Sequence, residues 1–234
     1  MRLFSAIALV CPLLACGGGT GGSEAEAVPE VPGDSSNTSV VEQEIPAAAV
    51  TYSTIEDYAT ITTKEQLISE FGEENLVDGE SWYAEGTVRY EHTVLTDPCN
   101  GQVIRYVWQE DGNTLSHVEA GYFIFDDDYY VVDTQEVFSV CGVFTGMSLQ
   151  DLREWNGTDF DFLGFGWDYE GLILAGEGSR IAECPVRMKL SFDMQREIPE
   201  EYLDMYGDVT FNTADDIARE APVLVDLLTL YPSE

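Results

Sequence analysis

The chain has 234 residues, of which 44 are acidic and only 10 are Lys or Arg, so its formal net charge is −34. The acidic residues are spread along the sequence instead of forming a tail. Nucleic acid and an anionic membrane surface would both be repelled, which excludes them as partners. Self-repulsion of this size destabilises a compact fold unless salt screens it or cations bind, and we favour solubility in salt as the explanation.

Residues 1–15 have the layout of an export signal. Arg2 is followed by an apolar run from Leu3 to Val10, and small residues precede the expected cleavage site. The run is shorter than the roughly 20 apolar residues that span a bilayer. Leu13-Leu14-Ala15-Cys16 resembles the bacterial lipobox, whose cysteine is lipidated and becomes the first residue of the mature chain. The resemblance implies a lipid anchor at Cys16, and multiple acyl chains would hold it stably in a membrane.

Residues 16–50 have the composition of a flexible tether. They begin with a glycine-rich run after Cys16, contain several prolines and lack aromatic residues. Gram-negative lipoproteins retained at the inner membrane carry Asp after the cysteine, whereas this chain has Gly17. The resemblance therefore implies a bacterial envelope protein at the outer membrane. The alternative is an ordinary signal peptide that is cleaved elsewhere.

Residues 51–234 contain all four tryptophans and every tyrosine, enough for a folded core. This part of the chain also matches itself at an offset of about 85 residues without a gap. The matched pairs are Thr63 and Ser148, Leu67 and Leu152, Gly72 and Gly157, Gly79 and Gly164, Trp82 and Trp167, Glu85 and Glu170, Gly86 and Gly171, and Cys99 and Cys184. We predict two tandem repeats, 51–140 and 141–234, that form one compact unit.

Each repeat is predicted to open with a short helix. Thr63 and Ser148 are each followed three residues later by Gln or Asp, which is a capping box or close to one. Gly72 and Gly157 predict where the two helices end. The side chains expected to face inward are Leu67, Ile68 and Phe71 in the first helix and Leu149, Leu152 and Trp155 in the second.

Segments rich in β-branched and aromatic residues follow each helix and predict antiparallel strands. Those of the first repeat are Glu85–Leu95, Gln102–Gln109, His117–Phe125 and Tyr129–Val132, and those of the second are Phe160–Leu163, Trp167–Leu174, Pro185–Phe192 and Val209–Phe211. Pro222–Tyr231 fits a strand or a helix, and we favour the strand. The pattern predicts an α+β fold in which each repeat is a helix followed by a β-meander, with the helices on one face of the sheet.

The second repeat carries three short motifs that resemble a family of uncharacterised bacterial envelope lipoproteins over Gly142–Gly171. The motifs are Gly146-Met147-Ser148-Leu149, Asn156-Gly157 and Gly164-Phe165-Gly166-Trp167-Asp168-Tyr169. This resemblance implies location and fold but no reaction. The helix-then-meander unit is also similar, more distantly, to the SmpA/BamE outer-membrane assembly lipoproteins and to the β-lactamase inhibitory protein, whose units bind other proteins.

The Gly164–Tyr169 run invites interpretation as a ligand platform, with aromatic rings for stacking and Asp168 as a hydrogen-bond acceptor. We favour a tight turn with Phe165 and Trp167 in the core, because large aromatic residues dominate cores and Trp82 occupies the equivalent place in the first repeat. Asp126-Asp127-Asp128 supplies too few oxygens for calcium and is favoured as a solvated turn.

Neither catalysis nor a metal site has motif support. The acidic pairs, Asp159 with Asp161 and Asp215 with Asp216, are expected by chance in so acidic a chain, and His92 and His117 are expected on strand faces. Cys99, Cys141 and Cys184 allow one disulfide with three alternative pairings and no close pair for a metal.

We therefore assign no catalytic residue, no cofactor and no metal ligand, and lipidation at Cys16 is the one modification that we expect. The prediction is a non-catalytic binding module of unknown specific function, with an envelope protein or polymer as partner. One alternative is a hydrolase of cell-wall or extracellular glycans that uses two acidic residues. Another is a structural lipoprotein whose charge is neutralised by calcium.

Overall fold

The computed structural model of the protein describes residues 51–83, 86–126, 128–167 and 169–232. The predicted leader and tether, and Cys16 with them, lie outside these ranges. Within the ranges, no helix is both long enough and apolar enough to cross a membrane.

The described chain contains five short α-helices and eleven strands. The helices are α1 (Ile55–Tyr58), α2 (Lys64–Phe71), α3 (Leu149–Asn156), α4 (Arg180–Glu183) and α5 (Asp216–Glu220). The strands are β1 (Leu76–Tyr83), β2 (Val88–Thr96), β3 (Val103–Trp108), β4 (Leu115–Gly121), β5 (Phe123–Phe125), β6 (Val131–Thr134), β7 (Asp161–Leu163), β8 (Ile173–Leu174), β9 (Arg187–Phe192), β10 (Thr210–Asn212) and β11 (Val223–Leu230). Short 3-10 segments at Glu73–Asn75 and Glu200–Met205 complete the set.

Both helices predicted from capping signals are confirmed as α2 and α3. The Thr63 hydroxyl accepts from the Gln66 backbone N–H, and the Gln66 side chain accepts in return from the Thr63 backbone N–H, each at 3.2 Å. The Ser148 hydroxyl accepts from the Asp151 backbone N–H at 3.1 Å. The glycines that end the helices, at positions 72 and 157, both have positive φ.

Of the six side chains expected to face inward from these helices, four are buried, Trp155 is partly buried and packs against the core, and Ile68 faces outward. Ile68 is 39% exposed, because a helix of two turns buries the stripe through Leu67 and Phe71 and turns its neighbours outward. Trp155 is half-buried, and the guanidinium of Arg180 covers its ring at 4.4 Å.

Six strands form one antiparallel sheet in the order β1-β2-β3-β4-β11-β9. Smaller sheets have the order β10-β7-β8 and β5-β6. The α+β class is confirmed, and so is the strand predicted at Pro222–Tyr231, which is β11. Strand β11 lies between β4 and β9 and therefore joins early and late parts of the chain.

The structure corrects several predicted strands. Strand β1 was not predicted, since Asp78-Gly79-Glu80 at its centre disfavours β structure, yet all eight of its residues pair with β2. The segment 117–125 divides at Tyr122, whose N–H donates to the Asp226 carbonyl of β11. Tyr129 has a φ of 63°, so β6 begins only at Val131. Of the strand predicted at 167–174, only β8 forms.

The core lies on one face of the six-stranded sheet. Alternate residues of the inner strands belong to a single buried cluster that also includes residues from α1, α2 and α3. The strand residues of this cluster include Ile104, Tyr106 and Trp108 on β3, Val118 and Ala120 on β4, Val225 and Leu228 on β11, and Met188 and Leu190 on β9. The residues between them point to the opposite face, which we call the open face.

One disulfide links Cys141, ahead of α3, to Cys184 at the end of α4. This settles the pairing that the sequence left open. Cys99 is exposed in the turn after β2. The two cysteines are 43 positions apart, and the segment between them contains α3, β7, β8 and α4.

Candidate functional site

A groove of about 410 Å³ lies on the open face of the sheet. The residues that line it come from strands β1, β2, β4, β9 and β11 and from the segments adjoining them, and none comes from a helix. The lining residues with aromatic or cationic side chains are Tyr83, Tyr90, His117, Tyr169, Arg187, Lys189 and Tyr231.

Strand register places a row of polar side chains across the floor of this groove. Glu119 on β4 lies directly opposite Arg105 on β3 and Thr229 on β11, and Thr229 in turn lies opposite Arg187 on β9. Directly opposed residues of antiparallel strands project from the same face. The four residues therefore form one line across β3, β4, β11 and β9 on the open face.

Glu119 is the centre of a buried hydrogen-bond network. Its carboxylate accepts from Arg105 Nη1 at 3.2 Å and from the Tyr83 hydroxyl at 3.2 Å, and it lies 3.3 Å from His117 Nε2. Glu119 and His117 are only 6% and 5% exposed. Burial alone would raise the pKa of Glu119, but the hydrogen bond with His117 and the charge of Arg105 together hold this pKa below its usual range.

A continuous strip of rings runs beside this network, and we call Tyr90, Tyr83, His117 and Tyr231 the aromatic strip. Neighbouring ring centroids lie 5.5, 5.9 and 5.1 Å apart along it. Burial and the Glu119 charge raise the pKa of Tyr83 above its usual range, so the phenol stays protonated and keeps its hydrogen bond to Glu119. The buried network thus fixes two of the four rings.

Cations flank the far end of the strip. The guanidinium of Arg187 lies 4.6 Å above the ring of Tyr231, and Lys189 Nζ lies 3.9 Å from a Glu170 carboxylate oxygen. Asp226 is half-buried in the bulge of β11, and its burial raises its pKa to about 6, although the charge of Lys189 opposes the shift. Two of the nine described basic residues thus lie on this wall of the groove, and one of them, Lys189, is paired with Glu170.

Both histidines lie on strands, as predicted. His92 is on β2, where its Nδ1 lies 2.8 Å from the Ser81 hydroxyl, and a Cβ at Gly79 would come within 2.5 Å of its Nε2. Burial and the charge of Arg105 lower the pKa of His92. Glycine at position 79 thus makes room for the imidazole ring.

The Gly164–Tyr169 run is divided between the core and the groove. Phe165 is 2% exposed and packs on Phe192 with a centroid distance of 4.5 Å, which confirms its predicted core position. Trp167 is only half-buried and donates from Nε1 to the Gly164 carbonyl at 3.0 Å. Tyr169 lines the groove, whereas Asp168 lies outside the described residues.

Trp82 does not have the core position that was predicted for its place in the repeat. This side chain is 61% exposed on β1, because β1 is the edge strand of the sheet and its outer residues have no further strand or helix over them. The position of Trp82 therefore gives no support for a core position of Trp167.

The acidic residues named as alternatives are engaged locally and do not line the groove. Asp159 pairs with Arg153, which lowers the pKa of Asp159, and Asp161 accepts from Asn212 Nδ2 at 2.6 Å. Asp215 accepts from the Asn212 backbone N–H at 2.9 Å, and the Asp216 side chain is 98% exposed.

Asp126 and Asp128 lie at a turn. One Asp126 oxygen accepts from the backbone N–H groups of Asp128 and Tyr130, at 3.0 and 2.9 Å, and Asp127 is not among the described residues. Over the described ranges, no three His, Cys, Asp or Glu side chains are grouped so that they could hold a metal ion.

The groove as a site was missed by sequence reasoning. One pattern in the sequence could have indicated it. His117 and Glu119 are two positions apart, as are Arg187 and Lys189, and this spacing puts each pair on one face of a strand. What the sequence did not provide was the order β4-β11-β9 that brings the two pairs together.

The geometry suits binding better than acid–base chemistry. Both carboxylate oxygens of Glu119 are occupied by protein groups, and the residue is almost inaccessible to a ligand. The exposed parts of the groove are aromatic rings and cations, which recognise partners by contact area and charge. No protein-family model, no curated protein and no solved structure matches the chain.

Proposed function

We propose that the protein is a lipid-anchored extracytoplasmic binding module whose open face docks a segment of a partner protein in the bacterial envelope. The observation that carries this proposal is the groove, in which the aromatic strip lies over the buried Glu119 network. Tyr and Arg are enriched at the centres of protein interfaces, where they contribute most of the binding energy.

The buried network supports this function by fixing the strip before a partner arrives. His117 is held by Glu119 and Tyr83 donates to the same carboxylate, so two rings are already ordered. Ordering a mobile side chain costs about 0.5–1.5 kcal/mol on binding, and this cost is reduced when the rings are fixed in advance. A network that is fully hydrogen-bonded also avoids the penalty of unpaired buried groups.

A duplicated architecture is part of the proposal. Helices α2 and α3 are both eight residues long and begin about 85 positions apart, and the starts of β1 and β7 and of β2 and β8 have the same offset. Strand β3 pairs with β4 as β9 pairs with β11, and β4 pairs with β11 at the centre. These relations support two tandem repeats that share one sheet. On this proposal, strands of both repeats form the open face.

The lipid anchor and tether are proposed from the sequence. Residues 16–50 would behave as a flexible chain with a root-mean-square length of roughly 30–35 Å. Such a tether would hold the acidic folded part near a membrane surface that repels it. A partner would then be found among proteins of the same compartment.

Site-specific photocrosslinking tests the proposed function. A photoreactive amino acid is placed at Tyr90, which lines the groove, and in a matched protein at Tyr130, which is 70% exposed and does not line the groove. After irradiation of the cells that make the protein, the Tyr90 variant is expected to yield a discrete adduct with another protein, identified by mass spectrometry. Recovery of free monomer alone from the Tyr90 variant, or the same adducts from both variants, would contradict the proposal.

A further inference from the structure

Arg187 is in an exceptional position among the basic residues of the described chain. Seven of the nine described Lys and Arg side chains lie within 4.0 Å of a carboxylate: those of Lys64, Arg89, Arg105, Arg153, Lys189, Arg196 and Arg219. Arg180 donates to the Trp155 carbonyl at 2.6 Å. Over the same residues, the guanidinium of Arg187 meets no carboxylate within this distance and donates to no protein group, and its contact is with the ring of Tyr231.

A guanidinium with no carboxylate partner among the described residues is unexpected in a chain that carries 44 acidic residues. The residue is exposed, so its charge is solvated, and the Tyr231 ring beneath holds the guanidinium plane in place. A stacked guanidinium keeps its outer N–H groups free in a fixed, planar arrangement. That arrangement matches the two oxygens of a carboxylate.

The surroundings of Arg187 favour a carboxylate from outside the chain. Lys189 lies two residues along the same strand and points to the same face, and its ammonium already has a carboxylate partner, Glu170, at 3.9 Å. The acidic lining residue, Glu119, is already neutralised by Arg105 and is buried. Repulsion from acidic residues farther away than about 8 Å is screened at physiological ionic strength, so Arg187, which has no carboxylate within 4.0 Å among the described residues, dominates at contact.

The remainder of the groove specifies what must accompany the carboxylate. Next to Arg187 the aromatic strip begins with Tyr231 and continues over His117. Tyr169 and Leu172 add apolar surface on the other side. A ligand that fills the groove must therefore present an apolar or aromatic side chain within a few ångströms of its carboxylate.

We propose that the groove binds an acidic peptide segment of the partner, in which a carboxylate pairs with Arg187 and an adjacent apolar side chain packs on the aromatic strip. The inference rests on the proposed binding function and specifies the chemistry of the partner. The carboxylate can be an Asp or Glu side chain or the C-terminus of a chain, and both sources provide the same two oxygens.

A peptide array tests the proposal and separates these sources. The purified full-length protein is applied to random nine-residue peptides, attached either through the C-terminus or through the N-terminus. If an Asp or Glu side chain pairs with Arg187, we expect the retained peptides of both formats to be enriched in an acidic residue next to an apolar one. If the C-terminus pairs with Arg187, we expect only peptides with a free C-terminus to be retained, with an apolar residue near that end. Retention of peptides that have neither an Asp or Glu residue nor a free C-terminus would overturn the carboxylate proposal and leave the binding function standing.

A double-mutant cycle then identifies the role of Arg187. Dissociation constants are measured for a retained acidic peptide and for the same peptide with its carboxylate changed to an amide, against the wild type and R187Q. We expect R187Q to lower the affinity for the acidic peptide about tenfold or more and to leave the affinity for the amide peptide almost unchanged. R196Q, which makes the same change in charge at an exposed arginine off the groove, is the control and is expected to leave both affinities unchanged.

The remaining outcomes are also decisive. If R187Q lowered the affinity for both peptides equally, Arg187 would contribute packing or general charge. This result would overturn its pairing with a carboxylate. If crosslinking at Tyr90 captures a partner but the wild type retains no peptide, the peptide-segment proposal fails while the binding function survives. Failure of both experiments would remove the proposed function as well.

Discussion

Arg105 and Glu119 lie directly opposite each other on β3 and β4, and the guanidinium donates to the buried carboxylate at 3.2 Å. The pair joins an exposed cation to an acid that is almost wholly buried. The ion pair therefore extends from solvent to the floor of the groove. Loss of the Glu119 carboxylate would take an acceptor from both Arg105 and Tyr83.

Glu119→Gln is expected to destabilise the protein at pH 7 by about 2–3 kcal/mol, since it breaks a buried pair whose cation remains partly solvated. The pKa of Glu119 is lowered in the folded state, so its stabilisation is present above its unfolded pKa and is lost as the pH falls. The difference in the free energy of unfolding between wild type and variant should therefore become smaller below about pH 4. Urea unfolding at pH 7 and pH 3.5 measures this difference. Glu110→Gln, at an exposed turn residue, is the control and is expected to change stability by less than about 0.5 kcal/mol.

Asp226→Asn is expected to have the opposite pH dependence. The folded-state pKa of Asp226 is raised to about 6, so the native state prefers the neutral carboxyl and loses stability as the pH rises through roughly 4 to 6. The asparagine variant should be more stable than the wild type by about 1–2 kcal/mol at pH 7.5 and nearly equal to it at pH 4. Thermal and urea unfolding at the two pH values provide the comparison. A variant that is less stable at pH 7.5 would show that the charged carboxylate is required by its neighbours.

Gly171→Ala is expected to destabilise the fold by about 2–4 kcal/mol. Gly171 has a φ of 63°, and a Cβ there would lie 1.9 Å from the Leu190 carbonyl oxygen, so the backbone before β8 would have to leave β9. Tyr169 is two residues away and should move together with the backbone at Gly171. Gly176→Ala is the matched control, because its Cβ would have nothing within 4 Å. Unfolding measurements that give the two variants equal stability would contradict the close approach of β8 and β9.

Cys16→Ala tests the proposed anchor. The variant is expected to move from the membrane fraction to the soluble fraction, because the tether and the folded part are too acidic to hold to an anionic surface. Fractionation followed by immunoblotting measures the distribution, and Cys11→Ala in the same leader is the control. An unchanged membrane fraction for Cys16→Ala would refute lipidation as the means of attachment.

The elements that were predicted correctly depend on local contacts. Thr63 and Ser148 cap their helices through residues three positions ahead, and such contacts can be recognised without knowledge of the fold. Local signals did not predict the edge strand β1, because Asp78 and Glu80 disfavour β structure. Only pairing with β2 offsets their preference.

The candidate site depends on contacts between distant parts of the chain. Arg187 meets Tyr231 because β9 pairs with β11, and His117 meets Tyr231 because β4 pairs with the other edge of β11. Each residue alone is an ordinary strand residue. Their common function follows only from the strand order, which the sequence pattern left open.

The position of β11 has a further consequence for how the protein folds. This strand is the last element of the described chain, yet it lies in the interior of the sheet between β4 and β9. Until it is in place, β1–β4 and β9 are separate pieces with exposed apolar faces. Folding must therefore wait for a pairing between distant segments, which slows it. Before this pairing forms, the large negative charge would make partly folded chains repel one another and keep them in solution.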